Sequence, residues 1–185
     1  MEIGSVFQLQ LGKLFLFVFF ALNLSAHAQT AEYKLKAVYL YNFLQYVDWP
    51  PDAFANEQSP LIIGVLGVDP FGKFLEETVM GETVKHRRIE VRRYKSVREI
   101  RNVHVLFVSA SEEDKLNSIL EDLKGRSILS VSDAQDFAGR GGIIRFITEN
   151  NKIRFKINLD TARAANLSIS SKLLQLAEIV STEKQ

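Results

Sequence analysis

The sequence predicts one α/β domain of three layers. Its sheet is Rossmann-like and mixed, mostly parallel, with a C-terminal antiparallel hairpin and helices on both faces. Short β-branched apolar runs alternate with segments of helical spacing, the pattern of a parallel sheet wound with helices. Near the C terminus two alternating segments flank Asn150-Asn151, a hairpin signature. The 185 residues contain no cysteine, so packing alone must hold the chain.

Residues 1–28 read as an export signal. Lys13 precedes the apolar run Leu14 to Leu22, and Ala26-His27-Ala28 supplies a small-x-small cleavage pattern. The run stops near Asn23, short of the roughly 20 apolar residues that a bilayer crossing needs. Cleavage after Ala28 is therefore expected rather than an uncleaved anchor, with no membrane span left after processing. Residues 29–185 then form a single domain, long enough for a sizeable core.

The domain opens with "KAVYLYNFLQYVDWP", Lys36 to Pro50, read as a helix. Ala37, Leu40, Tyr41, Leu44 and Val47 form one apolar stripe. Leu35, Tyr39, Asn42 and Tyr46 form another, with Val38 and Phe43 beside it. A helix that is apolar nearly all round must be covered on more than one side. One stripe packs on the sheet; the other needs the C-terminal helix, a second subunit or a partner. Lys34, Lys36 and Gln45 interrupt it too often for a membrane span.

Pro50, Pro51 and the polar stretch Asn56 to Pro60 close this helix, and "LIIGVLG" follows as a buried strand. Asp69-Pro70 reads as an N-cap with proline at the first helical position, opening a helix through "FGKFLEETVM". "RRIEVRRY" alternates as a strand, and "VHVLFVS", Val103 to Ser109, is a second apolar one. Ser111 is the expected cap of a helix carrying Leu116, Ile119, Leu120 and Leu123, after which "SILSVSD" is again a strand. The hairpin register pairs Phe146 with Phe155 and Ile144 with Ile157 on one face, with Arg145 opposite Lys156 on the other. Helices from Thr161 to Val180 close the chain, presenting Ile169, Leu173, Leu176, Ala177 and Val180.

No catalytic constellation is visible. "GVDPFGK" has the spacing of a phosphate-binding loop as far as its lysine, but Phe74 stands where Ser or Thr should reach Mg²⁺, and Pro70 has no N–H to offer. The three histidines lack ligand spacing, so no metal is expected, and no cofactor. His104 reads as a hydrogen-bonded core or edge residue and His86 as part of a solvated basic face. A formal net charge of +1 gives no reason to expect nucleic acid.

Three surfaces remain as candidates. Lys85 to Arg101 carries eight basic residues against Glu90 and Glu99, with Arg88, Glu90 and Arg92 on one strand face. It is either a soluble outer strand protected by charge or a contact for an acidic partner or lipid headgroups. A small ligand, if bound, belongs outside the carboxyl ends of the strands, which makes Asp69, Ser109, Ser132 and Asp133 its candidate residues. On the opening helix Tyr39 and Tyr46, with Phe43 and Trp49, are the candidate anchors for a partner or a second copy.

Three stretches resemble one known family. "EYKLKAVYLYNFLQYVDWP" is similar to the opening aromatic helix and acidic-Trp-Pro signature of the YfiR/HmsC-like periplasmic regulators. "SILSVSDAQDFAGRGG" is similar to their strand, Ser-Asp turn and glycine pair, and "IRFKINLDTARAANLSISSKLLQLA" to their closing segment. The likeness spans about residues 32–180. It implies regulation rather than catalysis: a periplasmic repressor binding the exported region of an inner-membrane diguanylate cyclase, or serving a sensor kinase, so controlling cyclic-di-GMP and biofilm. A homodimer is compatible with it. The other reading is a periplasmic small-molecule binding protein serving a sensor kinase or an uptake system. Some relatives link disulfides to redox control, which a chain without cysteine cannot do.

If the leader is removed as its pattern predicts, intact-mass analysis of periplasmic extract finds a chain starting at Gln29. A mature species retaining Leu14 to Leu22 overturns that reading.

Overall fold

Three strands are buried at every position: β2 (Leu61–Leu66), β5 (Val105–Val108) and β6 (Leu129–Ser132). Parallel strands covered on both faces require continuous apolar runs, and these three supply them. The computed structural model describes residues 29–150 and 152–182. The expected leader, residues 1–28, and the turn residue Asn151 lie outside them.

Around this centre an eight-stranded sheet runs in the order β10-β8-β7-β6-β5-β2-β4-β3. Its flanking members are β3 (Thr83–Val84), β4 (Arg87–Tyr94), β7 (Ile144–Glu149), β8 (Lys152–Asn158) and β10 (Glu178–Val180). Pairing is parallel except between β7 and β8 and between β3 and β4. The fold is thus the mixed, mostly parallel α/β sheet that the sequence predicts. In the hairpin Phe146 opposes Phe155, Ile144 opposes Ile157 and Arg145 opposes Lys156, as the period-two pattern requires. Asn150 adopts φ +51°, the left-handed conformation that asparagine tolerates in such a turn.

Two apolar layers enclose the sheet. On one face helix α1, residues 29–46, covers Ile63, Val65, Phe107, Val131, Phe146 and Phe155. Helices α2 (Phe74–Val79), α4 (Leu159–Ala164) and α5 (Ser171–Leu174) add to the same layer through Leu75, Ala162 and Leu173. On the other face α3 (Leu116–Leu123) packs Leu116, Ile119 and Leu123 against Ile62, Leu66, Leu106 and Val108, with Phe137 beside them. The glycine pair has separate jobs: Gly141 takes φ +102°, and at Gly142 a Cβ would sit 2.1 Å from the Phe137 ring.

Three local expectations are corrected, and one turn that the sequence reading did not include is added. Asp69 opens a turn rather than a helix: its Oδ1 accepts the Phe71 N–H at 2.8 Å, Gly72 takes φ +55°, and α2 starts only at Phe74. Ser109, not Ser111, caps the 3₁₀ turn Ala110–Lys115 that precedes α3; Ser111 instead accepts the Val68 N–H. The closing segment is not continuous helix. Asn166 at φ +56° ends α4, and β9 (Ser168–Ile169) pairs with β1 (Val47–Asp48). The short α5 is capped by Ser170, and Val180 lies in edge strand β10. Finally, Lys85 and His86 both adopt positive φ and turn β3 back on β4, a hairpin with no Asn or Gly to announce it.

Phe155 contacts Phe43 and Tyr39 edge-on, with centroids 5.6 and 5.7 Å apart, and lies in the α1-covered layer. Phe155→Ala should therefore destabilise the domain by roughly 3–5 kcal/mol. Chemical denaturation measures it, and a loss below about 1 kcal/mol contradicts this packing.

Candidate functional site

Lys36 belongs to the first turns of α1, where solvent would normally claim a lysine, yet it is only 2% exposed. A buried ammonium must be paired, and here two carboxylates do so. Glu32, one helical turn earlier, lies 2.6 Å from Nζ, and Asp133, immediately after β6, lies 2.6 Å away. The Tyr33 hydroxyl donates to the same Asp133 Oδ2 at 2.8 Å. Burial, then that hydrogen bond and the nearby carboxylate charges, hold the Tyr33 phenol well above its ordinary range, so it stays a donor. The ammonium also lies over the Tyr33 ring, 4.5 Å from its centroid. Asp133 Oδ1 is buried without a hydrogen-bond partner among the described residues.

The other candidate ligand residues lie along the same carboxyl edge of the sheet but are engaged individually. Asp69 Oδ2 pairs with Arg93 at 2.8 Å, and Glu76 pairs with the same guanidinium. The Ser109 hydroxyl accepts the Ser111 N–H at 3.3 Å. Ser132 is fully buried; its Oγ donates to the Val108 carbonyl at 2.7 Å and accepts the Ala134 N–H at 3.0 Å. Asp69 thus shares Arg93 with Glu76 in a partly exposed ion cluster, whereas Asp133 joins the one around the buried Lys36. Sequence reading passed over the partners of Asp133, although the i,i+4 spacing of Glu32 and Lys36 is a recognisable pair.

The candidate partner residues separate in the same way. Phe43 is fully buried, stacked on Phe146 at 5.8 Å, and offers no surface to a partner. Tyr39 is half-buried over Phe146 and Phe155. Trp49 is half-buried too: its Nε1 donates to the His104 carbonyl at 3.2 Å, and its ring meets the imidazole edge-on. His104 Nδ1 accepts the Ile62 N–H at 3.1 Å, and burial, helped by the Arg87 charge against a partial pull from the Ala53 backbone, lowers its pKa to about 4. It is thus a neutral core histidine. Tyr46 remains 37% exposed, in line with Leu35 at 45% and Val38 at 41%. These three, spaced 3 and 8 residues apart, lie on the outward side of a helix whose Ala37, Leu40 and Leu44 are fully buried.

The basic strand is largely neutralised within the domain. Glu90 lies between Arg88 and Arg92 on one face, at 3.3 and 2.8 Å. Arg87 donates to the Asn56 and Ser59 carbonyls and stacks over Phe54. Among the described residues no strand pairs with β4 on its outer side beyond Arg88.

Residues 33–178 match the family model for YfiR/HmsC-like proteins. That span runs from the Tyr33 hydroxyl that meets Asp133 to the start of β10. No curated protein matches the chain.

Removing Lys36 leaves Asp133 and Glu32 without their cation, and removing Asp133 leaves the buried ammonium with Glu32 alone. Asp133→Asn and Lys36→Met are each expected to cost about 3 kcal/mol or more, while the double variant recovers part of the loss. Denaturant titration of all four proteins checks this; additive losses refute the coupling.

Proposed function

Because this chain belongs to the YfiR/HmsC-like family, we propose that it is a periplasmic regulator that represses an inner-membrane diguanylate cyclase by binding its exported region. A sensor kinase is the alternative partner within the same mode of action. Among the described residues no helix is long and apolar enough to cross a membrane, which suits a regulator that meets its partner from outside the bilayer. Control by such a protein is a shift between free and bound populations, set by a differential affinity.

The observation that carries this reading is the outward stripe Leu35, Val38 and Tyr46 on α1. Apolar side chains in line on a rigid helix supply the groove-docking anchors that partner helices use, and a tyrosine beside them is a favoured hot spot. Tyr39 contributes only its exposed part, since its ring also covers the hairpin. Phe43 and Trp49 act behind this surface, holding α1 in place.

The test is substitution on the outward stripe. Val38→Asp and Tyr46→Ala should leave folding within about 0.5 kcal/mol of the parent, as exposed positions do. Binding to the exported region of the cyclase should weaken by at least about 2 kcal/mol, and cellular cyclic-di-GMP should rise. Folded variants that still bind and repress overturn the proposal.

A further inference from the structure

The carbonyl oxygen of Ile100 receives two arginine side chains. Arg101 Nη1 donates to it at 2.8 Å and to the Arg98 carbonyl at 2.8 Å. Arg126 Nη2, from the loop before β6, donates to the same oxygen at 2.8 Å. The two nitrogens are therefore no more than twice that distance apart. Such an arrangement opposes like charges. Burial, followed by the Arg101 charge, pushes the Arg126 pKa below its ordinary value, with Asp122 pulling the other way.

Elsewhere Arg88, Arg92, Arg93, Arg140 and Arg163 each hold a carboxylate. Neither Arg101 nor Arg126 has an ion pair among the described residues. Each spends only one nitrogen on backbone oxygens, which leaves most of its five N–H donors unused. Arg126 lines a cavity of about 200 Å³ together with buried Val103 and Ile128 and polar Asn102 and Ser127; Arg101 is outside the lining and adjoins it through Arg126. At about 30 Å³ per water that space holds roughly six or seven waters, or one small solute. Asn102 and Val103 precede β5, and Ser127 and Ile128 precede β6, so the cavity opens at the amino edge of the parallel strands. Asp133 and the other strand-end candidates lie at the opposite edge.

We propose that this cavity is an oxyanion site in which Arg126 binds the phosphate or carboxylate group of a small molecule, with the charge of Arg101 close beside it on the shared Ile100 carbonyl. A planar guanidinium offers paired N–H groups to such an anion, and the partly buried Arg126 gains more from it than an exposed lysine would. Asp52 also lines the cavity and carries a carboxylate. It opposes a second negative charge and so selects against multiply charged anions. Asp52 and Ala53 follow Trp49-Pro50-Pro51 directly, and Trp49 is bonded to the His104 carbonyl. An occupied site therefore touches the segment that leaves the C-terminal end of α1. The site stands independently of partner docking and answers a different question, what small molecule the protein senses.

The test uses the full chain after export and two probes, inorganic phosphate and acetate, each against chloride at matched ionic strength. With about 20 mM of the preferred anion, the melting temperature should rise by about 2–4 °C, and the Asn102, Ser127 and Ile128 amide signals should move saturably. Arg101→Gln should weaken binding at least about tenfold, the loss of one nearby positive charge, while the anion-free melting temperature stays level or rises as like-charge repulsion is relieved. Arg126→Gln should weaken binding further, and Asp52→Asn should tighten it. Arg101 is exposed, so its variant remains informative if Arg126→Gln fails to fold. Absence of saturable shifts with both probes overturns the proposal. So does binding that survives unchanged in Arg101→Gln, which would leave the two arginines as loop supports only.

Discussion

The buried ammonium of Lys36 is the constraint on which the arrangement of this domain turns. Placing that charge at 2% exposure is tolerable only beside Glu32 and Asp133. Asp133 follows β6 directly, so the ion pair anchors the start of α1 to the carboxyl edge of the sheet. At the other end of the helix the backbone continues into β1, which pairs with β9, and Trp49 closes onto the His104 carbonyl at the amino edge. Between these ties Phe43 and Tyr39 press on the Phe146–Phe155 pair. A helix held at both ends and packed in the middle cannot roll. Its inward face and its outward stripe are therefore both set.

That rigidity bears on how a regulator of this kind would work. A docking stripe on a freely rotating helix would lose affinity to ordering, whereas a stripe held by the core is pre-organised. The segment after Trp49 leads from the end of α1 to the cavity beside Arg126. Coupling between two sites needs a contiguous element that both can bias, and this segment is the shortest covalent one available. The carboxyl edge, by contrast, is mostly committed to internal contacts. Ser132, Ser109 and Asp69 spend their polar groups on backbone or on Arg93, while Asp133 Oδ1 is buried there without a partner among the described residues.

Much of the fold was legible along the chain. Leu61 to Leu66 and Val105 to Val108 announce buried parallel strands through unbroken apolar character. The C-terminal hairpin was readable to the residue because its period of two admits only one register that buries Phe146, Phe155 and Ile157 together. The misread parts share a cause: local signals that tertiary context overrode. Asp69-Pro70 has the composition of a helix start, but Arg93 and the Phe71 N–H take up its carboxylate in a turn. The stretch from Leu167 to Val180 carries helical spacing, yet Ile169 and Ile179 pair as strand residues with Val47 and Ile157. The turn at Lys85-His86 carries no Gly or Asn, and only the histidine is of a type enriched at positive φ.

By itself the sequence determined the family, through the resemblance of its motifs, and the mixed α/β architecture, the hairpin register and the aromatic character of the opening helix. The architecture and register follow from periodicity and turn chemistry, which act over a few residues and need no distant partner. Only the tertiary structure decided which aromatic groups face outward. Phe43 and Tyr46 lie on the same short helix, but the hairpin closes over the first and leaves the second exposed. Only the tertiary structure, too, brought Tyr33 and Lys36 to Asp133 across 100 and 97 residues of sequence, and brought Arg126 to the carbonyl beside Arg101. Burial and pairing of charge depend on what the folded chain places within a few ångströms, and separation along the sequence carries no record of that distance.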